Sequence, residues 1–241
     1  MQKTFIIFAI LIFTLIVPAA VSAQMKMRNL QTITDEPEDS LPAVIKKDDA
    51  ATVNFIELNR LGVQKALVEK NYQEASVYFS KALAAAPDCF RCKFNLGRAY
   101  LVIGKHDDAI KIFNELVAVN PNSSDLYGSL AETYNVKGMY EESLSYFRQS
   151  LKLNPQDIVT LSNYGISLSM LGKFGDALGT FDKAIKLNPD FVEAYSNKGF
   201  ALFQLGRVKE ARTHLRLAVA LAPASPLYRA AFDRLAARTD K

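Results

Sequence analysis

The sequence predicts an all-α protein, a solenoid of five helix–turn–helix units closed by a C-terminal capping helix. Three observations carry this reading. Prolines recur at Pro87, Pro121, Pro155, Pro189 and Pro223, each 34 residues after the one before. Small residues return at fixed places within every interval. Apolar residues follow a helical period on both sides of a fixed turn.

Aligned on the prolines, the units span 56–89, 90–123, 124–157, 158–191 and 192–225. The eighth position reads Val63, Gly97, Ala131, Gly165, Gly199. The twentieth reads Ala75, Ala109, Ser143, Ala177, Ala211, and the twenty-seventh Ala82, Leu116, Ser150, Ala184, Ala218. Thirteen of these fifteen are Gly, Ala or Ser, so two helix backbones can approach closely there. The twenty-fourth position (Phe79, Phe113, Phe147, Phe181, Leu215) is large and fills the space between them. Gly104, Gly138, Gly172 and Gly206 stand at the fifteenth position, where a left-handed residue ends the first helix. The proline ends the second helix, which it cannot continue.

The third unit shows the period plainly. Leu126, Leu130 and Tyr134 form a stripe on its first helix, and Leu144, Phe147 and Leu151 on its second. A single hairpin cannot bury such faces, whereas stacked neighbours can. The first unit departs most, with Val63 at position eight and Lys70 at fifteen, as terminal repeats do. After the last unit, Ser225 can cap a helix over 226–238 that starts at Pro226. Leu227, Ala230, Ala231 and Leu235 are its expected apolar face, with Arg229, Arg234 and Arg238 outward.

Two segments precede the array. Lys3, the uncharged apolar run Phe5–Val17 and the small residues of Val21-Ser22-Ala23 make 1–23 a secretory signal cut after Ala23. The chain is then exported, periplasmic or secreted. The other reading is an N-terminal membrane anchor, for which the run falls short of the roughly 20 residues a span needs. Residues 24–50 carry the acidic cluster Asp35–Ser40 and Lys46-Lys47-Asp48-Asp49 without an aromatic residue, and read as a flexible polar linker. The array domain is 51–241.

The composition excludes several chemistries. A net charge of +4 is too mild for the basic patch of a nucleic-acid binder. Two Cys and two His cannot build a disulfide framework or a His-rich metal site. No phosphate loop, H-E-x-x-H pattern or catalytic triad is visible, so the reading is no enzyme, no cofactor, no metal and no small-molecule substrate. His106 occupies the turn slot that holds Tyr72, Tyr140 and Phe174 elsewhere, and His214 is expected at the surface.

Over 56–225 these units resemble the tetratricopeptide repeat family, although Asn59, Lys93, Tyr127, Leu161 and Tyr195 stand where that family often has Trp. The resemblance implies a right-handed superhelix whose first helices line a concave groove. It implies groove residues Arg60, Gln64, Arg91, Asn95 and Arg98, then Asp125, Ser129, Glu132 and Asn135, then Asn163, Ile166, Met170, Asn197, Phe200 and Phe203. That groove would run from basic through acidic to apolar. Asn95, Asn163 and Asn197 share position six, while Leu61 and Ser129 interrupt the ladder. Asparagine offers a donor and an acceptor, which suits an extended peptide backbone. The family's carboxylate clamp does not fit, because Asp125 has the wrong sign. The implied function is a non-catalytic scaffold that binds a protein or peptide partner in an exported or envelope complex.

Cys89 and Cys92 leave alternatives open. They lie three apart in C-F-R-C at a helix start, where they can be bridged in an oxidising compartment. A local staple closing so short a loop contributes only about 2 kcal/mol. A helix N-terminus also lowers a thiol's pKa, which suits a thiol-redox protein. No strand precedes the pair, and Lys93 stands where haem attachment needs His. A third reading is an envelope adaptor that self-associates end to end.

Overall fold

The computed structural model describes residues 50–239, with side chains described over 54–237. The signal sequence, almost all of the polar linker and the side chain of Arg238 lie outside the described residues. Within them the fold is all-α, eleven helices without a strand: α1 (Ala50–Leu67), α2 (Tyr72–Ala85), α3 (Phe90–Val102), α4 (His106–Val119), α5 (Ser124–Val136), α6 (Tyr140–Leu153), α7 (Ile158–Met170), α8 (Phe174–Leu187), α9 (Val192–Gln204), α10 (Val208–Leu221) and α11 (Pro226–Thr239). The chain divides into two compact bodies, one ending at Lys137 with α1–α5 and one starting at Gly138 with α6–α11. In each body consecutive helices pack against one another.

The turn chemistry follows the sequence closely. Gly104, Gly138, Gly172 and Gly206 have φ of 86°, 77°, 74° and 74°. Lys70 takes the same left-handed conformation at φ 55°, so the first unit keeps the turn with a strained side-chain-bearing residue. At the helix starts, Asp157 accepts N–H bonds from Val159 and Thr160, both at 3.1 Å, and Asn71 accepts one from Glu74 at 3.0 Å. The second helices α4, α6, α8 and α10 start without a side-chain cap. Acidic residues in their first turns (Asp107, Glu141, Asp176, Glu210) interact favourably with the helix dipole instead.

Burial comes in layers. Phe113, Phe147 and Phe181 are fully buried. Beside Phe79 lies a cluster of Ala66, Ala75, Leu96 and Ala99, drawn from α1, α2 and α3. Leu161, Ala184 and Ala194 form another across α7, α8 and α9. Close approach sets the spacing. A Cβ on Gly97 would lie 2.8 Å from Phe113 Cε1, and one on Gly165 would lie 2.5 Å from Phe181 Cε1.

The first unit corrects the expected register. Gly62, not Val63, is the residue against the ring: a Cβ there would meet Phe79 Cε1 at 2.6 Å. Gly62 and Phe79 are one residue farther apart along the chain than Gly97 and Phe113. The extra residue is absorbed where the chain leaves α1 for Lys70. Alignment on Pro87 counts backward through this insertion and so lands one residue late. The capping helix also differs from expectation. Tyr228 and Leu235 are its buried residues, seven apart on one face, while Ala230 points to solvent.

Candidate functional site

The structure places the predicted groove residues in three kinds of environment. Arg60, Gln64 and Asp125 are exposed, and Arg91, Asn197, Phe200, Met170 and Phe203 are half-buried. Asn95, Arg98, Ser129, Glu132, Asn135, Asn163 and Ile166 are buried.

In the body that ends at Lys137, the expected basic-to-acidic gradient is neutralised in place. Arg98 on α3 donates to Glu132 on α5 at 2.8 Å, with both side chains almost wholly buried, and to Ser129 at 3.3 Å. These two charges hold successive first helices together. Both occupy position nine, one repeat apart, so opposite charges in one register were the sequence signal for their pairing. The neighbouring Tyr72 hydroxyl is buried without a hydrogen bond, and burial raises its pKa while Arg98 opposes the rise. Arg60 turns to its own helix and pairs with Glu57 through 2.6 and 2.8 Å contacts.

Asn95 is 1% exposed. Its Nδ2 donates to Asn59 Oδ1 at 3.0 Å, linking α3 to α1, and its own Oδ1 accepts no hydrogen bond. Sequence reasoning missed Asn59. The signal was a polar residue at the fourth position, which the resemblance led one to expect as aromatic.

In the body from Gly138, Asn163 on α7 and Asn197 on α9 occupy the same register. Asn197 Nδ2 is buried and donates no hydrogen bond. Ile166 is buried beside Asn163 on α7, whereas Phe200 on α9 stays half-exposed and meets Phe174 edge-on at 6.4 Å between centroids. The face combines amide groups with an aromatic wall. Hydroxyls fill the rest of α7: Ser167 Oγ lies 3.2 Å from Ser143 Oγ, and Ser169 donates to the Gly165 carbonyl at 2.9 Å.

His214, expected at the surface, is only partly exposed. It is half-buried and stacked on Tyr195 at 6.1 Å, with Nδ1 buried and unbonded, and burial lowers its pKa. Cys89 and Cys92 are joined as a disulfide, with Cys89 as the N-cap of α3. Among the described residues no group of His, Cys, Asp or Glu could hold a metal ion, and no helix is long and apolar enough to cross a membrane.

Three models of the tetratricopeptide repeat match the chain, at residues 66–133, 124–157 and 165–226. No curated protein matches it. Among solved structures, a thermophilic protein with this repeat from Thermus thermophilus, TTC0263, is 25% identical. That likeness covers 75% of this chain and 98% of the other, with a TM-score of 0.63. YrrB, described as a repeat protein of this kind with an unusual peptide-binding site, is 19% identical over 76% of this chain and 97% of its own (TM-score 0.59). MamA from Desulfovibrio magneticus is 16% identical over 72% and 97% (TM-score 0.63). The last two show the fold alone.

Proposed function

The chain belongs to the tetratricopeptide repeat family, and we propose that it is an exported, non-catalytic scaffold whose first helices hold an extended segment of a partner protein. The observation that carries the proposal is the recurrence of asparagine at one register of the first helices, on α3 in one body and on α7 and α9 in the other. Asn95 Oδ1 and Asn197 Nδ2 are withdrawn from bulk water and yet unbonded within the protein. A buried polar atom without a partner is costly, and a peptide backbone passing over the first helices of either body would offer the missing donor or acceptor. The half-exposed Phe200, Phe203 and Met170 supply an apolar wall for a side chain of the same segment. The peptide-binding site named for YrrB is consistent with this use of the fold. Export rests on the signal pattern of residues 1–23, with the scaffold serving an envelope or secreted complex.

Affinity capture from the native host with crosslinking mass spectrometry tests the binding reading. The partner should crosslink to α7 and α9. The double change Asn163→Ala with Asn197→Ala should weaken capture while helix content is unchanged. Unaltered capture would remove Asn163 and Asn197 from the site. Export is tested separately: N-terminal sequencing of the native protein should begin at Gln24, and recovery of the intact Met1 terminus would refute cleavage.

A further inference from the structure

Among the described residues, the C-F-R-C segment is a chemically reactive group that the scaffold reading leaves unused. Its two sulfurs stand in different environments. Cys92 is fully buried, packed in a cluster with Phe55 and Ala82, whereas Cys89 at the edge of that cluster is partly exposed. Cys89 Sγ accepts the backbone N–H of Cys92 at 3.1 Å at the start of α3. Phe90, between the two cysteines in the first turn of α3, is 43% exposed. The disulfide is also of little use as a brace. The helix already fixes these residues: the Lys93 N–H donates to the Cys89 carbonyl at 3.0 Å, the first bond of the α3 ladder. A bridge across one helical turn joins nothing that the turn leaves free.

From this arrangement we propose that Cys89–Cys92 is a thiol–disulfide exchange site that takes electrons from a cysteine pair on a partner protein. A thiolate of the partner attacks Cys89 Sγ, the accessible sulfur. The Cys89–Cys92 bond breaks, and its electron pair leaves on Cys92 Sγ, which takes up a proton. The partner's second thiolate then attacks the partner sulfur of the mixed disulfide. That bond breaks with its electron pair on Cys89 Sγ, where the Cys92 N–H and the helix start favour the negative charge. The partner's two thiols, having released two protons, end as a disulfide. The pair is reduced by two electrons: one released proton is on Cys92, and the other passes to solvent, leaving Cys89 as the thiolate, or protonates it to complete the dithiol. The exposed ring of Phe90 provides apolar contact beside the attacked sulfur, and the burial of Cys92 prevents attack at the wrong sulfur.

The test uses the full exported chain. The native oxidised protein is treated with dithiothreitol, which should reduce it without loss of helix content. Iodoacetamide labelling read by mass spectrometry should then modify Cys89 at least about tenfold faster than Cys92, with a pH midpoint below the ordinary thiol value of about 8.5. The Cys92→Ser chain should form a mixed disulfide with oxidised glutathione, and the Cys89→Ser chain should not. The proposal is overturned if the bond is reduced only on unfolding, if the two cysteines label equally, or if Cys89 labels with an ordinary midpoint. The labelling of the unsubstituted chain decides the matter even if a variant fails to fold.

Discussion

Alanine at Gly165 and alanine at Gly179 should move stability in opposite directions, although both glycines lie within helices of the same repeat. A Cβ on Gly165 would lie 2.5, 2.8 and 3.0 Å from Phe181 Cε1, Cζ and Cδ1. Carbon atoms prefer roughly 3.5–4.0 Å, so the ring would have to retreat by about 1 Å. Phe181 is fully buried and has no solvent side to move into. Overpacking of this kind costs about 1–3 kcal/mol, against which alanine regains about 1 kcal/mol of helix propensity. Gly165→Ala should therefore lose up to about 2 kcal/mol. Around Gly179 a Cβ meets nothing within 4 Å, so Gly179→Ala should keep the whole propensity gain of about 1 kcal/mol. For a chain of this size each kcal/mol moves the Tm by about 2–4 °C. Urea and thermal unfolding followed by circular dichroism measure the difference. Hydrogen exchange in α7 and α8 shows whether it is local, because repeat arrays need not unfold as one unit. Equal stability of the two variants would mean that Phe181 yields without cost, and the account of small residues as spacers would fail.

Two further outcomes test the polar interior and the cap. Glu132→Ala leaves the buried Arg98 guanidinium without its carboxylate and should cost about 3–5 kcal/mol, whereas Arg98→Met combined with Glu132→Leu should be close to neutral. If single and double variants lose equally in urea unfolding, the pair acts by shape rather than charge. Burial, with Glu193 nearby, pushes the Tyr228 hydroxyl from 10.0 up to about 12. Between those values the unfolded chain has lost a proton that the folded chain keeps, so stability falls as pH rises across the window. Tyr228→Phe should flatten that fall, leaving a remainder from Tyr72 and Tyr140, which burial also raises. An unchanged alkaline slope would place Tyr228 in water.

The fold was legible because its determinants are local and repeated. A glycine that ends a helix, a proline that stops one and a small residue opposite a phenylalanine each act within a few residues, and five copies separate the pattern from chance. The exceptions lie where repetition misleads. Lys70 breaks the glycine pattern, yet the backbone keeps its left-handed turn, because packing on both sides of the turn outweighs one residue's preference. One inserted residue shifts the count between the proline and the first helix, so Gly62 rather than Val63 faces the Phe79 ring. The buried stripe of α11 includes Tyr228, whose large ring takes the buried position over Ala230.

The candidate site was less legible, for a physical reason. A register says which face of a helix a residue occupies, but not whether the next helix covers that face. Arg98 and Asn95 lie one turn apart on α3, and both were expected to meet a ligand. Arg98 is instead engaged by Glu132, because a guanidinium buried with a carboxylate in the next repeat cannot be left unpaired. Asn95 can both donate and accept, and only half of that capacity is used: its donor goes to Asn59, and its acceptor stays unbonded. At Asn197 it is the donor that stays unbonded. Charge matching thus removes residues from the candidate site, and incomplete amide pairing is what keeps residues in it. A partner recognised here would be read through its main-chain amides and apolar side chains, so its binding should depend little on salt.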